Sequence, residues 1–153
     1  MIWVLGDSFC KEPSGWPGML ADMLGQELFC RGHGGQSWYE TAKDLDDHKY
    51  DIEPSDIIIF VHTGEQRIPS EQPSINLINF SNLDTSKEDH LALSLYFKYI
   101  HNENFFKTVH NHWFEHLSYR LSSKQVFHLH SFDGTFQKGK QFFGKRNLGP
   151  SLA

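Results

Sequence analysis

Ser8 stands in Gly6-Asp7-Ser8-Phe9-Cys10, directly after a short apolar run at 1–5. A serine hydroxyl is a poor nucleophile until a base accepts its proton; it can then attack an acyl carbon. Two further polar segments rich in small residues offer partners for such chemistry: Gly32-His33-Gly34-Gly35-Gln36-Ser37 and His62-Thr63-Gly64-Glu65-Gln66-Arg67. Gly35 has a backbone N–H with no side chain in the way, and Gln66 has an amide N–H. Neutral donors beside a nucleophile are what a developing oxyanion requires. His130 is the first candidate base, with Asp133 three residues on to orient it. His33 and His62 are substitute bases or polar substrate contacts, and Arg67 can hold a carboxylate or phosphate bidentately.

Each of these residues also has a plainer role. Ser8 can cap the turn that follows it, and Gly35 can serve a turn that needs positive φ. His128 lies one residue pair deeper in its strand than His130 and suits a hydrogen-bonded structural role. Arg67 can pair at the surface with Glu65 or Glu71. His112-Trp113-Phe114-Glu115-His116 matches an inverted zinc-protease pattern, but a zinc site needs a third protein ligand, normally a carboxylate further on. Residues 117–153 hold no glutamate, and Asp133 is their only acid. No metal site is expected, and no cofactor: no phosphate-binding loop occurs, and His33 interrupts the only glycine cluster that follows a strand.

These residues must be positioned by regular elements, and the pattern supplies them. Residues 1–5 form a short strand, and 11–18 a loop rich in Pro and Gly. Pro17 suits the start of a helix whose Met19, Leu20, Met23 and Leu24 share an apolar face, with Gly25 as its stop. A second strand covers 27–31. Ser37 with Glu40 makes a capping box for a helix that runs to about Asp47.

The unbroken run Ile57-Ile58-Ile59-Phe60-Val61 within 56–62 marks a central parallel strand covered on both sides. A polar loop at 63–76, with Pro69 and Pro73, is long enough to line a site. Two helices fall between 87 and 121, broken near Asn102-Glu103-Asn104. The second presents Phe105, Val109, Trp113, Leu117 and Leu121 on one face. Residues 124–130 form a fourth strand. The last twenty residues suggest no element, because glycines and lysines separate Phe136, Phe142 and Phe143, which can nevertheless pack back on the domain. Strands alternating with helices argue a parallel sheet with helices on both faces. In such a sheet the loops at the carboxyl ends of the strands, which carry Ser8, Gly35 and Gln66, converge on one crevice.

The chain of 153 residues suffices for one domain, and 39% hydrophobic with 22% charged residues excludes a disordered chain or a coiled coil. Residues 1–133 are the α/β domain, with 19 acidic against 10 basic side chains, and 134–153 a basic tail carrying four cations and no acid. The acidic body argues against nucleic acid as a partner. The five apolar residues at 57–61 are far short of a membrane span, and 1–12 lacks the pattern of a signal peptide, so a cytoplasmic location is expected. Cys10 and Cys30 are expected to be free thiols, two being too few for a disulfide framework.

Trp3-Val4-Leu5-Gly6-Asp7-Ser8-Phe9 resembles the first block of the SGNH (GDSL-type) hydrolase family, whose Gly-Asp-Ser nucleophile follows the first strand of a flavodoxin-like sheet. Gly35 matches the place of the glycine in the family's second block. The third block, Gly-x-Asn-Asp, corresponds to Gly64-Glu65-Gln66-Arg67, with Gln66 for the asparagine and Arg67 for the aspartate. The resemblance covers residues 1–67. The family's late Asp-x-x-His block has no counterpart, since Asp133 follows His128 and His130 instead of preceding a histidine.

The resemblance implies a flavodoxin-like three-layer α/β sandwich with a short central parallel sheet of four to five strands. It also implies an ester or acyl hydrolase acting on a small ester or acylated substrate through Ser8. The alternative is a catalytically inactive member of the same fold serving as a binding or structural module, in line with the altered third block and the missing fourth. Without a fifth strand, the edge of the fourth is open to self-association.

Overall fold

The computed structural model describes residues 1–64, 67–68, 83–122, 124–131 and 133–148, apart from the side chains of 133–136. Four strands, β1 (Ile2–Asp7), β2 (Leu28–His33), β3 (Ile57–His62) and β4 (Gln125–His130), form one parallel sheet in the order β2-β1-β3-β4. Among the described residues, five helices connect and cover them: α1 (Trp16–Leu24), α2 (Trp38–Asp47), α3 (Glu88–Tyr99), α4 (Glu103–Arg120) and α5 (Asp133–Phe143). The result is a three-layer α/β/α sandwich with flavodoxin-like strand order.

Strand alternation sorts the side chains into two cores. Trp3 and Leu5 of β1, Ile58 and Phe60 of β3 and Val126 of β4 meet Leu45 of α2, Trp113, Phe114 and Leu117 of α4 and Phe143 of α5. Ile2, Val4, Ile59 and Val61 face the other way, toward Cys10 and Ala21 of α1. Both faces of the sheet are therefore covered, which is why β3 is a continuous apolar run. The amino terminus is tied down as well: its ammonium and Trp3 Nε1 both donate to Asp56, at 2.8 and 2.9 Å.

Several sequence signals operate as expected. Pro17 lies in the first turn of α1 and Gly25 closes it. Ser37 and Glu40 form the reciprocal capping box of α2. Asn102 separates α3 from α4 and caps the latter through its side chain. The two cysteines are free thiols.

Other expectations change. Most of the apolar face assigned to α1 is turned outward: Met19 and Met23 are 64% and 81% exposed and Leu24 is exposed too, so that α1 packs through Pro17 and Ala21, with only Leu20 of the expected set against the core. On α4, Trp113 and Leu117, with Leu121 just beyond it, face the core as the apolar spacing suggested, but Phe105 is exposed and His110 and Phe114 join the buried stripe. Histidine can occupy a core position when it is uncharged, and hydropathy spacing alone does not register that.

The carboxyl-terminal residues depart furthest. Residues 133–143 form α5, a 3-10 turn follows at Gly144–Arg146, and Asn147 makes a parallel bridge with His128. Leu148 N–H donates to the His128 carbonyl at 2.8 Å, so the chain begins to pair with the outer edge of β4. The glycines that discouraged a helix there have a packing role. A Cβ on Gly139 would stand 2.6 Å from His130 Cε1, so only glycine lets α5 approach β4 this closely. Among the described residues, no helix is long and apolar enough to cross a membrane.

Candidate functional site

The parallel register aligns the carboxyl ends of the strands. Gly6 is level with Gly32 and Val61, Asp7 with His33, and His62 with His130. The segments that follow, beginning at Ser8, Gly34, Thr63 and Ser131, therefore leave one edge of the sheet together. In this strand order the chain goes from β1 to one side, then crosses back to β3 on the other. The strand ends beside such a reversal are the usual position of a site in open parallel sheets.

Ser8 is the first residue beyond β1. It opens a 3-10 turn, Ser8–Cys10, and is exposed to solvent. The side chain that caps this turn belongs to Asp7, whose Oδ1 accepts from Phe9 N–H at 3.0 Å. Ser8 is thus released from the capping role that the sequence left open for it. Asp7 itself is 1% exposed, and its other oxygen accepts from Ser131 Oγ at 2.5 Å. Burial raises the Asp7 carboxyl above its usual range, opposed by the Ser131 and Phe9 hydrogen bonds and by the charge of Arg67. That last effect brings Arg67 within electrostatic reach of the site, and its backbone N–H donates to the Gly64 carbonyl at 3.2 Å.

The second loop is built around a buried amide. Gln36 Oε1 accepts from His33 N–H at 3.0 Å and its Nε2 donates to Asp44 at 2.9 Å, fastening the loop to α2. Gly35 is buried with φ of 77°, a left-handed conformation in which a side chain would be strained. The turn role and the donor role foreseen for Gly35 are compatible, because a turn of this kind also directs backbone N–H groups. His33 is exposed beside it, level with Asp7 and one residue from the level of Ser8. On the third loop, Thr63 and Gly64 are buried, and Thr63 Oγ1 has no hydrogen-bond partner among the described residues. Gln66 and the side chain of Asp133 lie outside the described residues.

The remaining histidines are deeper. His62, His128 and His130 project from β3 and β4 toward α4 and α5, on the face opposite α1. His62 Nε2 and His128 Nδ1 share a hydrogen bond of 2.8 Å, and the His62 ring stacks on His130 with centroids 4.9 Å apart. Phe143 lies flat on His128 at 3.5 Å, and Phe114 borders His62 at 4.7 Å. His130 Nε2 is hydrogen-bonded to Asn147 Oδ1. His110 of α4 closes the group against Phe114.

Burial keeps all four neutral. It pushes His62 well below the ordinary value, helped by the neighbouring imidazoles, and brings His110 and His128 down to about 3. His130 falls to about 4, burial outweighing the Asn147 hydrogen bond. His130 and His62, proposed from sequence at the crevice, thus belong to a packed aromatic stack. His33 is the candidate histidine at the solvent-facing edge.

Sequence reasoning missed Asp7, Ser131 and Asn147. An Asx cap after a strand was available as a signal for Asp7. The Ser131 contact spans 124 residues and left none. On α4, His112, Glu115 and His116 are exposed, and no group of three metal-ligating side chains occurs among the described residues. A cavity of about 260 Å³ lies between α4, β4 and α5, walled by Leu117, Val126, His128, Phe143 and Arg146, but Ser8, Gly35 and Arg67 are not among its lining residues. Convergence of loops at the strand ends, not cavity volume, singles out the Ser8 edge.

No protein-family model, curated protein or solved structure matches this chain.

Proposed function

We propose that the protein is an ester or acyl hydrolase in which Ser8 is the nucleophile and His33 the base. The observation that carries this reading is the exposed serine immediately past β1, at the point where strand order reverses, with its turn capped by a different side chain. Ser8 Oγ attacks the acyl carbon while an imidazole nitrogen of His33 takes its proton. The oxyanion accepts hydrogen bonds from the Ser8 and Gly35 N–H groups and the Gln66 amide. The tetrahedral intermediate collapses, the leaving alcohol takes the proton from His33, and water activated by the same histidine releases the acyl group. The chemistry asks for no metal or cofactor. Arg67 favours substrates that carry a carboxylate or phosphate near the acyl group.

A second reading, a catalytically inactive binding module, is favoured by one observation: among the described residues, no hydrogen bond joins Ser8 to a histidine. Treatment with a fluorophosphonate separates the two. The hydrolase incorporates one equivalent, Ser8→Ala incorporates none, and His33→Ala reacts about a hundredfold more slowly, the lower end of what a positioned base contributes. Absence of labelling in the wild-type protein leaves the binding module. Normal labelling of His33→Ala removes His33 from the mechanism.

A further inference from the structure

The face of the sheet opposite the histidine stack holds the only two cysteines of the chain. Cys30 pairs in register with Val4 and faces α1, on the outermost strand β2. The 3-10 turn Ser8–Cys10 folds the chain back over the same strand. Its Cys10 sulfur comes to rest on Gly32, two residues from Cys30 and on the same face: a Cβ at Gly32 would stand only 2.8 Å from that sulfur. Cys30 Sγ approaches the Cys10 carbonyl oxygen to 2.8 Å, and Cys10 Sγ donates to the Asp7 carbonyl at 3.2 Å. Each S–H is thus directed at a backbone carbonyl, and the Cys30 sulfur lies directly against the backbone of Cys10. Cys10 is fully buried, and Cys30 is partly open to solvent at the sheet edge.

We propose that Cys10 and Cys30 are a dithiol modification site that closes reversibly to a disulfide when the protein meets a peroxide. Two thiols held side by side by a strand and by a turn anchored on the adjacent strand react as if at very high concentration. Their environments assign the order of events. Cys30, half-buried at the sheet edge, is the thiol a small oxidant can reach. Cys10, fully buried and donating to the Asp7 carbonyl, is held as the thiol.

The Cys30 thiolate attacks one oxygen of the peroxide and the O–O bond breaks. For hydrogen peroxide, the departing hydroxide takes a proton and leaves as water, with Cys30 as sulfenic acid. The Cys10 sulfur then attacks the Cys30 sulfur. An S–S bond forms, the S–O bond breaks, and the second hydroxide leaves as water with the proton from Cys10. Two thiols are oxidised by two electrons, and one peroxide is reduced to two waters. A dithiol reductant reverses the change by exchange. The sulfurs must close to about 2.05 Å, which the half-buried Cys30 side chain can accommodate by rotating toward Cys10. The bond fastens the turn that carries Ser8 to β2, and the site stands whether or not Ser8 is a nucleophile.

The test treats the native full-length protein with hydrogen peroxide, blocks remaining thiols with iodoacetamide, and maps peptides by mass spectrometry without reduction. The expected result is an intramolecular peptide pair joined at Cys10 and Cys30, two hydrogens lighter than the dithiol and restored by dithiothreitol. Unfolding in urea before oxidation should slow formation of that pair at least tenfold. In Cys10→Ala the reaction should stop at a Cys30 sulfenic acid trapped by dimedone, whereas Cys30→Ala should leave Cys10 unoxidised. The proposal is overturned if the native protein retains two alkylatable thiols, if Cys30 proceeds to sulfinic acid with Cys10 intact, or if only intermolecular disulfides form.

Discussion

Asp7 governs the geometry around Ser8 although it makes no bond to that residue's side chain. One carboxylate oxygen fixes the 3-10 turn through Phe9, and the other reaches across the end of β3 to Ser131 beyond β4. A buried carboxylate that loses a hydrogen bond pays for desolvation without compensation. Ser131→Ala should therefore destabilise the fold by about 1.5–3 kcal/mol in urea unfolding, and should raise the Asp7 pKa further, observable by carboxyl chemical shift. The Gly6-Asp7-Ser8 triplet was legible in the sequence because a strand signal precedes it. Its division of labour was not legible: the sequence offered Ser8 as the cap, and the structure gives that task to Asp7. The histidines show the same limit. Nothing in the spacing of His62 and His130 distinguishes an imidazole beneath Phe143 from one in a crevice, because that depends on α5, which the sequence did not disclose.

Among the elements, α5 has the least local support in the sequence and a large share of the packing. Its Phe143 closes the core over His128, and its Gly139 sets the distance to His130. Helix propensity alone predicts that Gly139→Ala stabilises the helix by up to about 1 kcal/mol. Packing predicts the opposite, since the new Cβ would meet His130 Cε1 at 2.6 Å and Asn147 Oδ1 at 2.9 Å. Overpacking of this kind costs about 1–3 kcal/mol, and urea unfolding of Gly139→Ala should show a loss. By contrast, β3, the capping box of α2 and the Asn102 break between α3 and α4 were all legible. Each rests on interactions among residues close in sequence, or on a run of β-branched residues that admits one interpretation. Where a helix is held by distant contacts, as in α5, local pattern carries no such information.

At the scale of the whole molecule, the two faces of the sheet respond to different conditions. Four neutral histidines lie between the sheet and α4 and α5, with Lys138 acting on His110 and Arg146 on His128. Their folded-state pKa values lie below the unfolded value near 6.5, so the unfolded chain takes up protons first as pH drops. The stability they contribute is complete above pH 6.5 and is lost as pH falls toward 3 to 4. At pH 5 each withholds about 2 kcal/mol, so His110, His128 and His130 together remove on the order of 6 kcal/mol, comparable to the stability of an ordinary domain. Asp7, raised in the fold, contributes in the opposite direction. Cooperative acid unfolding near pH 5 is predicted by circular dichroism, with a shallower pH dependence in His110→Leu.

On the scale of the molecule, the sheet order also brings Ser8, Gly35 and Thr63 to one edge, and the account of function depends on that convergence. Its most direct test is acid quenching of the protein during reaction with p-nitrophenyl acetate, followed by tryptic mapping. The account predicts acetyl on Ser8 within the peptide Met1–Lys11 at early times, and its disappearance as substrate is exhausted. Substrate turnover with acetyl found only on lysines, or no acetylation of Ser8 at any time, would contradict it.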